Sequence, residues 1–432
     1  MAREGEVFYM GKEKKLVWKK SKSSLFETFA IELMESTKEK VVPTSGDQDL
    51  QYATELWQDR LQRKGLDLDY DFMNRGAFTK DDPRMHWKGS DDRYINSMNV
   101  RSCELTRTVQ RGGKRIYKKA ERKLFYQFST DVKEGAVVGE DLYTCPNCSA
   151  VATIASLQQG CEYCGTCFEM DDLFPKVTNY FFVPDTSGTE EENKRDMLNR
   201  MLPCGAVIFL ITLLTGLASG DNTFLVLFAA VLGGVFGGAI MGWLLMLVSV
   251  LGSVGSQAKD TLGMGFNVFG SSGKFKKKMQ QYSPEFSYEY FTAKVISLAK
   301  MLIFAKNVEE LPVYVGDGKG ELFPDIIDAT YHGGVALKEF TLDGDYAKLI
   351  VEAYMEDLHD VDGRIKRRID KFRIHLRKNV TIPIDYQFSI KKIQCKNCNA
   401  SFDATKIKSC PSCGTLYEIG DDDWVVTQIE RK

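Results

Sequence analysis

The sequence predicts an α+β membrane protein: two helix-plus-antiparallel-meander domains of cone-like form, each ending in a four-cysteine zinc ribbon, separated by a two-helix transmembrane hairpin. Three observations carry this prediction. The chain has a long apolar stretch at its middle, alternating apolar and polar residues on both sides of that stretch, and CxxC motifs that recur late in each half.

The apolar stretch runs from Leu202 to Gly255 and contains a single ionisable side chain, Asp221. A spanning helix needs about 20 mostly apolar residues, and two such lengths flank the polar break at 219–222. A buried hairpin of a soluble domain is the alternative, but its helices would each carry a polar face. Five glycines lie between Gly233 and Gly242 and favour close helix packing within the hairpin or in a homo-oligomer.

Basic residues flank the hairpin on both sides. Lys194, Arg195 and Arg200 precede it within a charged linker (185–201), and Lys259, Lys274, Lys276, Lys277 and Lys278 follow in a Gly/Ser/Lys-rich linker (256–283). By the positive-inside rule both termini and both soluble modules are expected to be cytoplasmic, with the hairpin in the plasma (inner) membrane. The basic and aromatic N-terminal segment (1–25) has no apolar core of signal-peptide length. The net charge of −2 gives no global case for nucleic-acid binding.

The first α+β domain is assigned to 26–140. Apolar residues at helical spacing predict two amphipathic helices between Leu25 and Leu66, and the polar stretch 67–94 is expected to form a loop or short irregular helix. Alternation around a Gly112-Gly113 turn then predicts antiparallel strands across 99–130. This section is rich in cations, namely Arg101, Arg107, Arg111, Lys114, Arg115, Lys118, Lys119, Arg122 and Lys123. They indicate a solvated face or a surface for anionic lipid, with nucleic acid the less favoured partner.

The second α+β domain is assigned to 284–393. It opens with an amphipathic helix in FSYEYFTAKVISLAKMLIF, and a shorter helix is expected around 323–331. Asp-Gly pairs at Asp343-Gly344 and Asp362-Gly363 lie between alternating segments and predict tight hairpins. EIGDDDWVV is expected to be the closing strand of the ribbon that follows.

Two zinc ribbons are predicted, at 141–184 and 394–432. Four thiolates close a tetrahedral Zn²⁺ site without an open position, which predicts two structural sites. A thioredoxin-type redox pair is the alternative for a lone CxxC, but two matched pairs favour metal. Cys167 is expected to be a bystander. The ligands are Cys145, Cys148, Cys161 and Cys164 in the first ribbon, and Cys395, Cys398, Cys410 and Cys413, in the same order, in the second. This correspondence indicates an internal duplication.

The segment 286–393, with the helix EYFTAKVISLAKMLIF and the strand pair ALKEFTLDGDYAKLIVEAYMEDL, resembles the cone-shaped fold of the nuclear transport factor two superfamily. More narrowly, it is similar to the C-terminal domain of the subunit that tethers the import motor at the mitochondrial inner membrane. The resemblance implies an adaptor with an apolar pocket that grips lipid tails or partner segments. It does not imply a role in mitochondrial import, because the motor-binding region and a presequence have no counterpart in this chain.

The chain lacks HExxH, P-loop, nucleophile-elbow and dinucleotide-binding motifs. The candidates for a general base inside the pocket are Tyr331, His332, Asp345 and His375. Each of them is more typical of a turn or surface residue. His86 and His359 have acidic neighbours (Asp81 and Asp82; Asp357 and Asp360), but their spacing does not predict a third metal site. The favoured function is a non-enzymatic scaffold binding a protein partner or lipid. The alternatives are an enzyme acting on an apolar substrate and a nucleic-acid tether.

Overall fold

The chain divides into two compact units. Met1–Pro184 and Val268–Lys432 together form the first, and Asp185–Asn267, which carries the apolar hairpin, forms the second. Cys167 and residues 1–24 lie outside the part of the chain that the structure describes. The computed structural model describes residues 25–76, 86–90, 94–132, 142–145, 148, 150–153, 156–157, 160–164, 170–172, 175–185, 190–220, 222–242, 244, 275–281, 288–381, 388–390, 392–395, 397–403, 406–416 and 423–432.

The first half of the chain places two helices before a series of strands. The helices are α1 (Leu25–Glu39) and α2 (Gln48–Arg63), and Asp47 caps α2 by accepting a hydrogen bond from the Leu50 amide at 2.8 Å. The strands are β1 (Leu66–Gly76), β2 (His86–Ser90), β3 (Tyr94–Arg111), β4 (Lys114–Val132), β5 (Leu142–Thr144), β6 (Val151–Thr153), β7 (Met170–Asp172) and β8 (Lys176–Pro184).

The second unit contains the helices α3 (Glu190–Ala218) and α4 (Thr223–Gly242). The remaining elements return to the first unit. They are α5 (Tyr288–Phe304), a 3-10 turn (Val308–Glu310), β9 (Ile326–Asp343), β10 (Tyr346–Val361), β11 (Arg364–Asn379), β12 (Phe388–Ile390), β13 (Lys392–Gln394), β14 (Ser401–Asp403) and β15 (Val425–Arg431).

One mostly antiparallel sheet joins the two halves. Its strand order is β1-β3-β4-β8-β9-β10-β11-β15, with β2 paired to β3. The first four strands of this order belong to the first half and the last four to the second, and each set is a meander. The sets meet where β8 pairs in parallel with β9, at Phe181 and Tyr331. The α+β class is therefore confirmed, and the strand order repeats across the two halves.

Each four-cysteine segment is an insertion between the third and fourth strands of its meander. The first lies between β4 and β8, and the second between β11 and β15. The segment that leaves the first ribbon and the segment that enters the second are also joined, because β7 pairs with β12 in a separate two-stranded sheet. The fourth strand of each meander therefore follows its ribbon in sequence but pairs with the large sheet.

The β3–β4 and β10–β11 hairpins turn in the same way. Gly112 and Gly113 connect β3 to β4 with φ of 55° and 75°, and Asp362 and Gly363 connect β10 to β11 with φ of 51° and 76°. Positive φ at both central residues defines a type I′ turn, whose twist matches that of the paired strands. These turns set the register of the hairpins, and in β10 and β11 the pairing continues without a shift from Val361 and Arg364 to Tyr346 and Asn379.

Helix α2 ties the first half to the second through buried side chains. Arg60 is fully buried and donates to the carbonyl oxygens of Ile303 at 2.8 Å and Phe323 at 2.9 Å. Trp57 Nε1 donates to the Ile327 carbonyl at 2.9 Å. Because these carbonyls lie at the end of α5 and at the start of β9, α2 satisfies backbone acceptors that the second half leaves open. The two halves thus share one core.

Two predictions of local structure were wrong. The expected loop at 67–94 contains β1 and β2, and in β1 the residues Leu66, Leu68, Tyr70 and Phe72 are buried in alternation with outward aspartates. Aspartate is depleted in strands, so composition hid the two-residue period. The helix expected at 323–331 is absent, since strand β9 begins at Ile326. This strand is the first of the four that form the second meander.

Three other expectations need correction. The strand expected to close the second ribbon is β15, which pairs with β11 in the large sheet. Residues 190–200 of the expected linker are already helical within α3. Helix α5 is buried on almost every side rather than amphipathic, since α2 packs on it and the sheet lies against it. A helix that is covered on all sides needs no polar face. In α5 two polar side chains, Ser297 and Lys300, are themselves buried, so they do not mark a solvent-exposed face.

Helices α3 and α4 pack through glycines. A Cβ at Gly238 would lie 2.7 Å from the Cα of Gly205, and one at Gly234 would lie 3.1 Å from the Gly205 carbonyl oxygen. The predicted glycine face therefore contacts the partner helix of the same chain. Association of two copies through Gly233–Gly242 stays a prediction. The outward side chains are large and apolar, as at Phe224, which is 77 % exposed.

Candidate metal centres

The first four-cysteine group is held by a short hairpin and a tight turn. Strands β5 and β6 pair, and the Cys145 amide donates to the Ala150 carbonyl at 2.7 Å, which folds the CxxC segment into a knuckle. The Sγ atoms of Cys145 and Cys164 are 3.7 Å apart, and those of Cys148 and Cys161 are 3.6 Å apart. All four sulfur atoms lie within 4.8 Å of one another. Cys145 and Cys161 are buried with Leu157 in a small core of their own.

The second group repeats this geometry. Strands β13 and β14 pair, and the Cys395 amide donates to the Ala400 carbonyl at 2.9 Å. Cys410 begins the other knuckle, in which Gly414 has a φ of 73° and donates to the Cys410 carbonyl at 2.8 Å. The sulfur atoms of Cys395 and Cys413 are 3.5 Å apart, and those of Cys398 and Cys410 are 3.4 Å apart.

These distances suit one tetrahedral ion in each group. A zinc-to-sulfur bond of about 2.3 Å places neighbouring sulfurs of a tetrahedron about 3.8 Å apart. Four thiols at this spacing repel one another once they ionise, unless a cation lies among them. Each group therefore has the donor set and the spacing of a closed four-thiolate site, which accepts zinc or iron. The cysteines that the sequence predicted as ligands are the ones that the fold brings together.

Local hydrogen bonds lower the pKa of two thiols of the second group, Cys395 and Cys413, whereas neighbouring thiols raise the pKa of Cys398. The Sγ of Cys413 lies 3.1 Å from Thr415 Oγ1, and hydrogen bonds from the side chain and the backbone of Thr415 lower the pKa of Cys413 to about 6. A metal ligand must be deprotonated, so this environment lowers the cost of binding an ion at neutral pH.

The cation-rich hairpin of the first half is only partly a solvated face. Arg107 and Lys123 are almost fully buried, and both form ion pairs with Glu356 of the second half. The Lys123 ammonium lies 2.9 Å from the Glu356 carboxylate. Burial alone would raise the pKa of Glu356, but the two cations outweigh it and lower that pKa to about 2. Lys114, Arg115 and Lys118, near the turn, are exposed.

The cations of this network differ in how fully Glu356 compensates them. Burial alone would lower the pKa of Arg107, but the negative charges of Glu356 and its neighbours outweigh burial and raise that pKa. For Lys123 the effect of burial is the larger one, so its pKa is lowered in spite of Glu356. We regard Arg107 as the main partner, because it also contacts Asp328, whose carboxylate accepts a hydrogen bond from the Tyr70 hydroxyl at 2.6 Å. Lys123 is the partner with the larger uncompensated burial cost.

The candidate pocket residues do not form a cluster among the described residues. Tyr331 is buried against Phe181, with ring centroids 5.0 Å apart, and burial raises its pKa. Asp345 is exposed, and His332 and His375 are partly exposed. His86 lies in β2, while Asp81 and Asp82 fall outside the described residues.

The structure brings His359, Asp357 and Asp370 together, although the spacing of these residues in the sequence did not predict such a group. The signal was present in the chain, because Asp357 and His359 share one face of a strand and the Asp-Gly turn at Asp362 fixes the strand that lies opposite. Counting back from that turn pairs Asp370 with Met355, which places Asp370 on the same face.

Comparisons of the chain with protein-family models, with curated proteins and with solved structures return no match.

Proposed function

We propose that this chain is a membrane-anchored adaptor in which both halves lie on one side of the membrane as a single binding unit. The observation that carries the proposal is the joined sheet, since β8 precedes the apolar hairpin and β9 follows it. Two strands that pair directly cannot lie on opposite sides of a bilayer. On this proposal the hairpin enters and leaves the membrane on the same side, and its two helices are long and apolar enough to span it.

The cytoplasmic side is the better assignment. Lys276, Lys277 and Lys278 are exposed in the short helix at 275–280, which follows the hairpin in the chain, and the break between α3 and α4 has no cation. Such an asymmetry favours a cytoplasmic location for the basic flank and an inner-membrane location for the hairpin. A reducing cytoplasm would also keep the eight ribbon thiols available for metal.

We assign a structural zinc ion to each four-cysteine group. The thiols leave no open coordination position, so the ions would fold the ribbons rather than act on a substrate. Zinc is preferred to iron because it needs no redox partner and folds small four-cysteine modules outright. The proposal rests on the sulfur spacing and on the repetition of that spacing in both halves.

The surface proposed for binding is the pair of hairpin tips. Arg111 at the β3 end contacts Asp360 at the β10 end at 2.6 Å, so the turns of the two halves lie side by side. Both tips expose cations, and these are Lys114, Arg115, Lys118, Arg364, Lys366 and Arg368. A two-sided cationic surface on a membrane-anchored unit suits anionic lipid headgroups better than nucleic acid. The expected resemblance of 286–393 to the nuclear transport factor two superfamily would imply a binding role.

Vesicle capture tests this function. The full-length protein in phosphatidylcholine proteoliposomes should capture separate vesicles that contain phosphatidylserine, and capture should fall as salt rises. Lys114→Glu with Arg364→Glu should reduce capture at least about fivefold, because each cation near an anionic surface is worth about 1 kcal/mol. Lys306→Glu with Lys319→Glu, also exposed, is the charge-matched control. Equal capture by both double variants, or capture of RNA but not of anionic vesicles, would contradict the proposal.

A further inference from the structure

A third group of ligand-type side chains lies in the second half only, on the β10–β11 hairpin. Asp357 and His359 lie two residues apart on one face of β10, and Asp370 lies on the same face of β11. Asp357 and His359 are fully buried, and the Asp370 side chain is 13 % exposed. One ligand atom from each residue lies within 4.8 Å of the others. The group is therefore closed to solvent except beside Asp370.

Its inward atoms have no hydrogen-bond partner among the described residues. These atoms are both carboxylate oxygens of Asp357, the Nε2 of His359 and the Oδ2 of Asp370. A buried carboxylate without a donor is strongly disfavoured, and folded proteins satisfy nearly all such groups. One such atom from each residue lies within reach of a shared metal ion, which would satisfy all three at once.

The tautomer of His359 supports the same conclusion. Its Nδ1 lies 2.8 Å from Asp325 Oδ2, and that carboxylate also accepts a 2.8 Å hydrogen bond from Arg431. In the neutral ring, an Nδ1–H that donates to Asp325 leaves a lone pair on Nε2, which lies 3.0 Å from Asp370 Oδ2. Two acceptors at that distance repel each other unless a proton or a metal ion lies between them. A carboxylate that orients the far nitrogen of a histidine is also the usual outer support of a histidine metal ligand.

Nearby charges leave the group with an unmet negative charge. Arg431 is the closest cation, but it is engaged with Asp325 and lies 3.7 Å from Asp370. Lys300 acts on Asp357 only over a longer range, and no hydrogen bond joins them among the described residues. A divalent ion would compensate both Asp357 and Asp370 and accept the His359 lone pair.

We propose that Asp357, His359 and Asp370 bind one divalent first-row metal ion, Mn²⁺ or Zn²⁺, at a site separate from the two four-cysteine centres. One imidazole and two carboxylates form a nitrogen and oxygen donor set, which suits Mn²⁺ better than a thiolate set does and also accepts Zn²⁺. The ion would join β10 to β11 and, through Asp325 and Arg431, would fix the start of β9 and the end of β15. The site is independent of the vesicle-binding function proposed above.

Manganese distinguishes this site from the ribbons, because four-thiolate sites prefer zinc. The full-length protein in detergent, dialysed against a mild chelator, is titrated with MnCl₂ and free Mn²⁺ is followed by electron paramagnetic resonance. The wild type should bind one Mn²⁺ per chain, and Mn²⁺ should raise its melting temperature. Asp357→Asn and His359→Gln should each weaken binding by tenfold or more and abolish the thermal shift.

The controls keep position and residue type similar. Asp362→Asn lies at the turn of the same hairpin, where the positive φ suits asparagine, and His375→Gln lies on β11. Both should bind Mn²⁺ as the wild type does. The metal-free Asp357→Asn protein should melt no lower than the metal-free wild type and should keep its ribbon zinc, because it loses a buried carboxylate without a partner. Absence of Mn²⁺ binding by the wild type, or equal binding by the Asp357 and His359 variants, would overturn the proposal.

Discussion

Replacing Glu356 with glutamine should destabilise the joined sheet, because Glu356 of the second half compensates two buried cations of the first. Its pKa falls from 4.5 to about 2 through Arg107 and Lys123, and that displacement corresponds to about 3 kcal/mol. Since the folded pKa lies below the unfolded one, this stabilisation is fully present above pH 4.5 and is lost as the pH falls toward 2. Removal of one partner of a buried pair typically costs about 3–5 kcal/mol, which agrees.

Hydrogen exchange at neutral pH measures this loss in the full-length protein. A cost of about 3 kcal/mol should raise the opening equilibrium of β3, β4 and β10 about 100-fold in Glu356→Gln. Glu339→Gln, at an exposed position of β9, should leave exchange unchanged. Adding Lys123→Met to Glu356→Gln should restore part of the protection, because it removes the cation that Glu356 compensates least. A change below about threefold in Glu356→Gln would refute the view that these ion pairs hold the two halves together.

Three further outcomes follow from single positions. Lys300 is buried and desolvation lowers its pKa to about 8 from 10.5, so the folded chain binds fewer protons between these values and stability should rise with pH across that window. Lys300→Met should therefore add about 3 kcal/mol to the free energy of unfolding at pH 7 and little above pH 10.5, and a gain that does not depend on pH would contradict this cause. Cys395→Ser should remove one bound zinc and leave the hairpin in the membrane fraction, whereas Cys204→Ser should lose no zinc. Gly238→Leu should cost about 1–3 kcal/mol and lower the folded yield, while Val235→Leu, on the exposed side of α4, should not.

Local chemistry made several features predictable. The four-cysteine spacing identified every residue of the two sulfur groups, since two thiols separated by two residues in a knuckle can bind one ion whatever the rest of the fold does. The Gly112-Gly113 and Asp362-Gly363 pairs identified the β3–β4 and β10–β11 hairpins, because few residue pairs adopt positive φ twice in succession. Helices α1 and α2 were predictable from an apolar face with a helical period.

Long-range partners were not predictable from one sequence. The two halves share one sheet through a short parallel contact between β8 and β9. No residue pattern predicts which strands will pair when a helical hairpin separates them in the sequence. The pairing of Arg107 with Glu356 spans most of the chain, so the cations of the first half looked like a solvated face. Strand β1 was missed because its outward positions are aspartates. Helix α5 was predicted to be amphipathic from the helical spacing of its apolar residues, although neighbouring elements cover almost every side of it.

The side of the membrane reached by each part of the chain tests the central claim most directly. Topology reporters fused in turn to the N-terminus, to the C-terminus and into the break at Asn222 should place both termini in the cytoplasm and the break on the opposite side. Opposite locations for the two termini would contradict the joined sheet, because β8 and β9 could not then pair. A break located on the same side as both termini would contradict the spanning hairpin.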